Sequence, residues 1–341
     1  MKRLLFLGCL MFFVSGAVFG AESPISVAFI PQLVGIPYFN AMDEGGKAAA
    51  ERFGVNWIYQ GPTDVSAPEQ LRIFDSLIAQ GVDAIAIAVL DETSICPAME
   101  RALAAGLIPF TSDSDAPNCD ARRLFVMQAR DEDLAHAIID GIAERLSPGD
   151  PHAAEGEIAF VSGNPTAVNL NTWMDLMEEY VKAEFPGLTI VARRYAGGTA
   201  AEAYRQAMDL FTAFPNLKAI VGVPSTSIPG VGQAVEDAGL TGKIIYTGYG
   251  SPLTARDYIH SGAMTFSVLW NPWALGYLTV WAGWLMAQGI PLWEIPDEVD
   301  LYVPGIEELP EVDVRWLPDR KALLLGPPLI ITEENVDNYN F

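Results

Sequence analysis

The chain has 341 residues, half of them apolar, and its 43 acidic and 20 basic side chains give a formal net charge of −23. This length and apolar content are sufficient for two α/β domains, each with a core of its own. Such an acidic surface repels nucleic acid and anionic lipid, and no lysine- or arginine-rich segment opposes that repulsion, so we expect no nucleic-acid partner.

The N-terminal segment has the pattern of a secretory signal peptide. Lys2 and Arg3 precede an apolar stretch at 4–18, and the residues just after it permit cleavage before Ala21. The apolar stretch is short for a membrane span. We therefore predict a signal peptide over residues 1–20 and a protein exported to the periplasm.

Two cysteines, Cys96 and Cys119, remain once that segment is removed. An even pair in an exported chain predicts one disulfide, and two free buried thiols are the alternative. The bridge would connect the helix after the third predicted strand to the loop after the fourth.

Apolar, β-branched runs alternate with helical patterns along most of the chain. The first run is a strand at 25–30, and a Pro/Gly loop carrying Tyr38 and Phe39 connects it to an alanine-rich helix opened by Asn40. The series continues with strands at 55–59, 84–90, 108–111 and 124–127 and with helices at 68–80 and 94–105. Strand–helix–strand order with short connections predicts a doubly wound parallel sheet.

A second series repeats this plan after a helix at 131–146 and a polar connection at 148–155. Its elements are strands at 157–162, 188–195, 218–223 and 243–248 and helices at 169–185, 200–214 and 228–238. The repetition predicts a second α/β unit with the architecture of the first.

The last third of the chain is less regular. It contains a short helix at 253–261, a strand at 264–270 and an apolar helix at 273–288, whose length and glycines fit core packing better than a membrane span. The Pro-rich remainder, 290–341, includes one predicted strand, and we expect this remainder to cross both domains.

Polar and aromatic side chains gather at the carboxyl ends of the predicted strands, the edge where open α/β sheets bind ligands. They are Gln32, Tyr38, Phe39 and Asp113 in the first series, Asn164, Asn169, Asn171 and Ser225 in the second, and Trp270 and Asn271 after the last strand. Their hydrogen-bonding groups and aromatic faces suit a neutral polyol, although each aromatic could instead belong to a core.

No pattern in the sequence indicates a catalytic or metal centre. The three histidines lack a paired metal-ligand spacing, and there is no HExxH, GxSxG or Walker A motif. Asp113 and Asp115 lack the EF-hand spacing for calcium, and we expect Asp115 to face solvent or to cap the following turn. We therefore predict no catalytic residue, no metal and no cofactor, with an exported carbohydrate-active enzyme as the alternative.

Several segments resemble the ribose-binding type of periplasmic binding protein that serves ABC sugar transporters, in particular its autoinducer-2-binding and rhamnose-binding branch. The resemblance is carried by AFIPQLVGIPYF at 28–39, YQGPT at 59–63, ICPAMERALAAGLIPFTSDSD at 95–115, AVEDAGL at 234–240, LWNPWALGYL at 269–278 and NVDNYNF at 335–341. It implies two similar doubly wound parallel-sheet lobes joined by a three-crossing hinge, the type I periplasmic binding protein fold.

The resemblance also implies the division into lobes and the partners. We expect a first lobe at 21–127 plus 249–288, a second at 128–248 plus 289–341, and crossings near 127–128, 248–250 and 288–290. A small-molecule sugar ligand would lie between the lobes, the partner would be a membrane ABC permease, and the protein would be a monomer. A sensory protein that presents its ligand-bound form to a receptor is a further alternative.

The ligand-contact positions of the resembled family fall on Tyr38, Phe39 and Asp113. The autoinducer-2 branch has a lysine where this chain has Gln32, an Asp-Gln pair where it has Asn169 and Leu170, and a proline where it has Val223. These differences favour a neutral monosaccharide or deoxysugar, such as a rhamnose-like ligand, with autoinducer-2 as the alternative.

Overall fold

The computed structural model describes residues 24–341, so the predicted signal peptide lies outside the described residues. The regular elements up to residue 127 are, in chain order, β1 (Ser26–Ile30), α1 (Pro37–Phe53), β2 (Asn56–Tyr59), α2 (Ala67–Gln80), β3 (Ala84–Ile87), α3 (Glu92–Ala104), β4 (Ile108–Ser112) and β5 (Phe125–Met127).

The second series extends from residue 131 to residue 269. It comprises α4 (Asp131–Leu146), β6 (Gly156–Ser162), α5 (Val168–Glu184), β7 (Leu188–Tyr195), α6 (Ala200–Ala213), β8 (Leu217–Gly222), α7 (Ile228–Asp237), β9 (Ile245–Gly248), α8 (Pro252–His260) and β10 (Ser267–Leu269). The C-terminal part adds α9 (Pro272–Ala287), β11 (Val299–Asp300), β12 (Arg315–Leu317), β13 (Ala322–Leu324) and β14 (Leu329–Ile331).

Two sheets form the centres of two lobes, which confirms the predicted α/β class. The first-lobe sheet has the order β11-β12-β13-β5-β4-β3-β1-β2, and the second-lobe sheet has the order β7-β6-β8-β9. Neighbouring strands are parallel, except that β12 pairs antiparallel with both β11 and β13. A separate antiparallel pair, β10–β14, lies beside the second sheet.

Helices cover both faces of the first sheet, because successive strand residues point to opposite sides. Val27 and Phe29 of β1 belong to the core that includes α1 and α9, whereas Ala28 and Ile30 join the core formed with α2 and α3. Burial on both faces explains why this strand is a continuous apolar run in the sequence.

The C-terminal part contributes to both lobes, which differs from the predicted boundaries. Strands β11, β12 and β13 extend the first-lobe sheet, so the assignment of 289–341 to the second lobe is wrong for this part of the chain. Conversely, α8 packs against α7, and β10 lies beside β9, so residues 252–269 belong to the second lobe and not to the first. Strands of two or three residues carry too little periodicity to reveal their partners.

The chain consequently passes between the lobes after β5, after β10 and after β13. The first of these passages follows β5, next to residues 127–128. The predicted crossings at 248–250 and 288–290 instead fall inside a lobe. Gly248 does not form a crossing because it ends strand β9 inside the second sheet. Its backbone packs there against Gly222 of the neighbouring strand β8.

The apolar helix α9 is a core helix, as the sequence predicts. It packs along α1, and the two backbones approach so closely that a side chain at Gly45 or Gly276 would collide with the facing helix backbone. Within residues 24–341, no helix has both the length and the apolar character of a membrane span.

Candidate ligand-binding site

A cleft with an empty volume of about 660 Å³, partly open to solvent, lies between the two lobes. Its first-lobe wall consists of the loop after β1, the start of α1 and the ends of β3 and β4, and its second-lobe wall consists of the start of α5 and the loops after β6, β8 and β9. These are carboxyl ends of parallel strands, as expected for a ligand site in α/β sheets.

Most of the predicted site residues line this cleft. They are Gln32, Tyr38, Phe39, Asp113, Asn164, Asn169, Ser225 and Trp270. Several of their polar groups already have protein partners: Gln32 donates to the Val89 carbonyl at 3.3 Å, and Ser225 donates to the Tyr249 carbonyl at 2.9 Å.

The structure does not bring Asn171 and Asn271 to the cleft. The Asn171 amide donates to the Pro165 carbonyl at 2.7 Å, since on α5 it points away from the face that carries Asn169. Asn271 caps α9, where its side-chain oxygen accepts from the Ala274 N–H at 3.0 Å. Helical geometry and capping therefore explain why both side chains lie away from the cleft.

Tyr38 and Phe39 lie in the first turn of α1 and not in the preceding loop, because Pro37 is favoured at the first helical position. The Tyr38 hydroxyl donates to Asp113 and accepts from the Trp270 indole Nε1 at 2.9 Å. The exposed fractions of the three aromatic residues are 6% for Tyr38, 3% for Phe39 and 3% for Trp270. These rings therefore form a packed wall of the cleft and not an open platform.

Asp113 follows β4 with φ of 71°, a left-handed conformation that is costly for most residues other than glycine. Its backbone N–H donates to the Val126 carbonyl on β5 at 3.1 Å, which helps to hold this conformation. Burial raises the pKa of Asp113 to about 7, although the hydrogen bond from Tyr38 favours the ionised form. A strained, buried carboxyl in a cleft is typical of functional residues.

Asp115 does not face solvent, which was one of the two environments that we expected for it. One carboxylate oxygen accepts from the Thr111 hydroxyl at 2.5 Å, and the other lies 3.3 Å from Nη1 of the buried Arg122. Burial raises the pKa of Asp115, and the positive charge of Arg122 opposes that rise. Asp113 and Asp115 thus have different environments although only one residue separates them.

Sequence reasoning missed two aromatic residues of the cleft, Trp173 and Tyr249. Their ring centroids are 4.7 Å apart, and Trp173 also lies 5.8 Å from Trp270. Trp173 is four residues after Asn169 on α5 and shares its helix face, a signal that the sequence contained. Tyr249 immediately follows β9, at the edge of the sheet where the other candidates were found.

Among the second-lobe residues that line the cleft, two have a polar atom that is buried without a hydrogen-bond partner in the described part of the chain. These atoms are Asn169 Oδ1 and the Tyr249 hydroxyl. Because an unpaired buried polar atom is unfavourable, these atoms are suited to bind hydroxyl groups of a small molecule.

A family model described as "Periplasmic binding protein domain" matches residues 27–291. The chain belongs to the periplasmic binding protein family. Among relatives of this binding protein, the D-ribose/D-allose-binding protein of Pseudomonas aeruginosa is 26% identical over 254 residues, which are 71% of this chain and 76% of the relative.

Two solved structures of binding proteins share this fold. LsrB from Clostridium saccharobutylicum, in complex with AI-2, has a TM-score of 0.83 at 25% identity and covers 93% of this chain and 100% of its own. An ABC transporter solute-binding protein from Clostridium phytofermentas, with bound L-rhamnose, has a TM-score of 0.83 at 27% identity, with coverages of 93% and 98%.

The family and these relatives are solute-binding proteins and not enzymes, which confirms the non-enzymatic prediction. The alternative of a carbohydrate-active enzyme is therefore excluded. The identification also confirms the type I binding-protein fold of two parallel-sheet lobes.

Proposed function

We propose that this binding protein captures a neutral deoxyhexose, such as L-rhamnose, in the cleft between its lobes and delivers it to a membrane ABC permease. The protein would be exported to the periplasm and would act as a monomer. Closure of the lobes would exclude water, so that hydrogen bonds to ligand hydroxyls strengthen in the lower dielectric.

The chemical character of the cleft is the observation that carries this proposal. Its lining within the described residues includes no lysine or arginine, and Asp113 is its one acidic residue. Around that carboxyl are aromatic rings and aliphatic side chains, among them Leu33, Ile36 and Leu170. Such a lining suits an uncharged ligand with a few hydroxyls and an apolar face, which a deoxyhexose presents through its ring carbons and methyl group.

Autoinducer-2 is the second candidate because of the structural similarity to LsrB. The positions at which this chain differs from the autoinducer-2 branch are Gln32, Asn169, Leu170 and Val223, and all of them line the cleft. Substitution of ligand-facing groups supports a different ligand, since specificity depends on which polar groups the site pairs.

A thermal-shift screen of the mature protein tests the proposal. We would compare L-rhamnose with D-ribose, D-allose, D-arabinose and autoinducer-2. At about a hundred times its Kd, a ligand should raise the free energy of unfolding by about 2.7 kcal/mol. Stabilisation by autoinducer-2 but not by L-rhamnose would contradict the proposed ligand class.

Direct contact between Asp113 and the ligand predicts that affinity falls as the pH decreases below about 7. Because its pKa in the unliganded protein is about 7, the carboxyl becomes protonated below that pH and loses an acceptor site for hydroxyl groups. The Kd should then rise by up to about tenfold per pH unit. Calorimetry with L-rhamnose between about pH 5 and pH 8 measures this, and Asp113→Asn should remove the dependence.

The same carboxyl has the opposite effect on the stability of the unliganded protein. Between the ordinary aspartate pKa of 3.8 and about 7, the folded state holds this proton more tightly than the unfolded state does. The contribution of Asp113 to the free energy of unfolding therefore decreases as the pH rises through this range.

An affinity for L-rhamnose that does not change with pH would contradict binding through the Asp113 carboxylate.

We also propose that Cys96 and Cys119 form a disulfide. Their Cα atoms are 5.2 Å apart, within the range of bridged cysteines, and they are separated by 23 positions in the sequence. Replacing Cys119 by serine should lower the free energy of unfolding by ~3 kcal/mol. Thiol titration of the denatured, unreduced mature protein should find no free thiol, and two titratable thiols would refute the bridge.

A further inference from the structure

Trp173 reaches the cleft from α5, and a residue outside the cleft lining fixes the orientation of its indole. Nε1 of Trp173 donates to Asp131 Oδ1 at 2.7 Å. Asp131 is the first residue of α4 and belongs to the same lobe. A buried indole N–H needs an acceptor, and the position of that acceptor selects one of the two orientations of the ring.

The other oxygen of Asp131 faces a cation from the first lobe. Arg320 lies in the turn between β12 and β13, with Nη1 3.9 Å from Asp131 Oδ2. Its Nη2 donates to Glu132 Oε1 at 2.8 Å. The backbone carbonyl of Arg320 accepts from Arg122 at 3.2 Å, so this turn is attached to the body of the first lobe.

These groups surround a second cavity that adjoins the cleft. Its lining includes Asp131, Arg122 and Arg320, and it shares Asp113 and Asn169 with the cleft. A continuous set of polar contacts therefore extends from the first lobe through Arg320 and Asp131 to the ring of Trp173.

We propose that Asp131 is a positioning residue for the ligand site, and that Arg320 makes this positioning depend on the relative placement of the two lobes. Trp173 forms the wall of the cleft against Tyr249 and Trp270. When the lobes are placed so that Arg320 reaches Asp131, the carboxylate is held and the ring is preorganised for a ligand. When the lobes separate, the carboxylate loses that partner and the ring becomes less ordered.

A measurement without ligand tests the coupling. In protein labelled with nitrogen-15, the Trp173 indole signal is identified by its loss in Trp173→Phe, and its hydrogen exchange is then followed. Asp131→Ala should accelerate the exchange, whereas Asp131→Asn should restore it because the amide oxygen can still accept. The Arg320 side chain is partly exposed, so the Arg320→Gln variant should fold. It is expected to shift this signal and to accelerate its exchange.

Asp133→Asn is the matched control. Asp133 lies in the same first turn of α4 but is exposed, so its substitution reproduces the loss of negative charge at the helix N-terminus without changing the contact to Trp173. Unchanged exchange in Asp131→Ala would overturn the positioning role. Unchanged signal and exchange in Arg320→Gln, or an equal effect of Asp133→Asn, would overturn the coupling.

A second measurement rests on the proposed function. In calorimetry with L-rhamnose, Asp131→Ala should bind roughly three- to tenfold more weakly, because an unrestrained Trp173 must be ordered on binding. Asp131→Asn should recover most of the affinity, and Asp133→Asn should bind like wild type. Failure of the wild type to bind L-rhamnose would refute the deoxyhexose proposal alone, and the exchange measurement would still decide the role of Asp131. Wild-type affinity in Asp131→Ala would overturn the positioning role.

Discussion

Asp113→Ala is expected to weaken L-rhamnose binding by roughly ten- to a hundredfold, because this is the affinity that a hydrogen bond to a charged group contributes. Asp113 directs its carboxyl into the cleft, and Tyr38 occupies one of its oxygens. The second oxygen is thus available for ligand hydroxyls. Calorimetry of the variant and the wild type at about pH 8, where the carboxyl is ionised, measures the loss.

Asp113→Asn separates this effect from changes in folding. Asparagine tolerates the left-handed conformation of residue 113 and can still accept the Tyr38 hydrogen bond, whereas alanine does neither. The asparagine variant should therefore be at least as stable as the wild type at this pH, because a neutral amide avoids the cost of burying the ionised carboxylate, and it should lose a smaller part of the affinity. Wild-type affinity in both variants would show that Asp113 does not bind the ligand.

Asp115→Asn is expected to lower the free energy of unfolding by about 3 kcal/mol while the Kd for L-rhamnose stays at its wild-type value. The substitution removes the charge opposite Arg122, whose side chain is only 7% exposed, and an uncompensated buried guanidinium is strongly unfavourable. Urea denaturation at neutral pH gives the change in stability.

An exposed ion pair provides the control for Asp115. Asp75 and Arg101 are 2.6 Å apart, but their side chains are 47% and 51% exposed. Asp75→Asn should consequently change the free energy of unfolding by less than about 1 kcal/mol. If Asp115→Asn and Asp75→Asn have equal effects, or if Asp115→Asn is the variant that loses affinity, the assigned roles of the two neighbouring aspartates are wrong.

Local sequence patterns determined most of the fold. The regular elements of both series occur within a few residues of their predicted positions, because buried strands and amphipathic helices are specified by the spacing of neighbouring apolar residues. The edge that carries the cleft was predictable for the same reason: Asp113 and Ser225 follow strands whose direction in a parallel sheet is fixed by the βα alternation.

Only the tertiary structure decided the remaining features, since they depend on contacts between distant parts of the chain. Strands of two or three residues, such as β11 and β12, are defined by their partners and not by their own pattern. The Tyr38 hydroxyl meets Asp113 and Trp270 across separations of 75 and 232 residues. Likewise, only the fold decides the contacts of the two neighbouring aspartates, because it places Tyr38 beside Asp113 and the buried Arg122 beside Asp115.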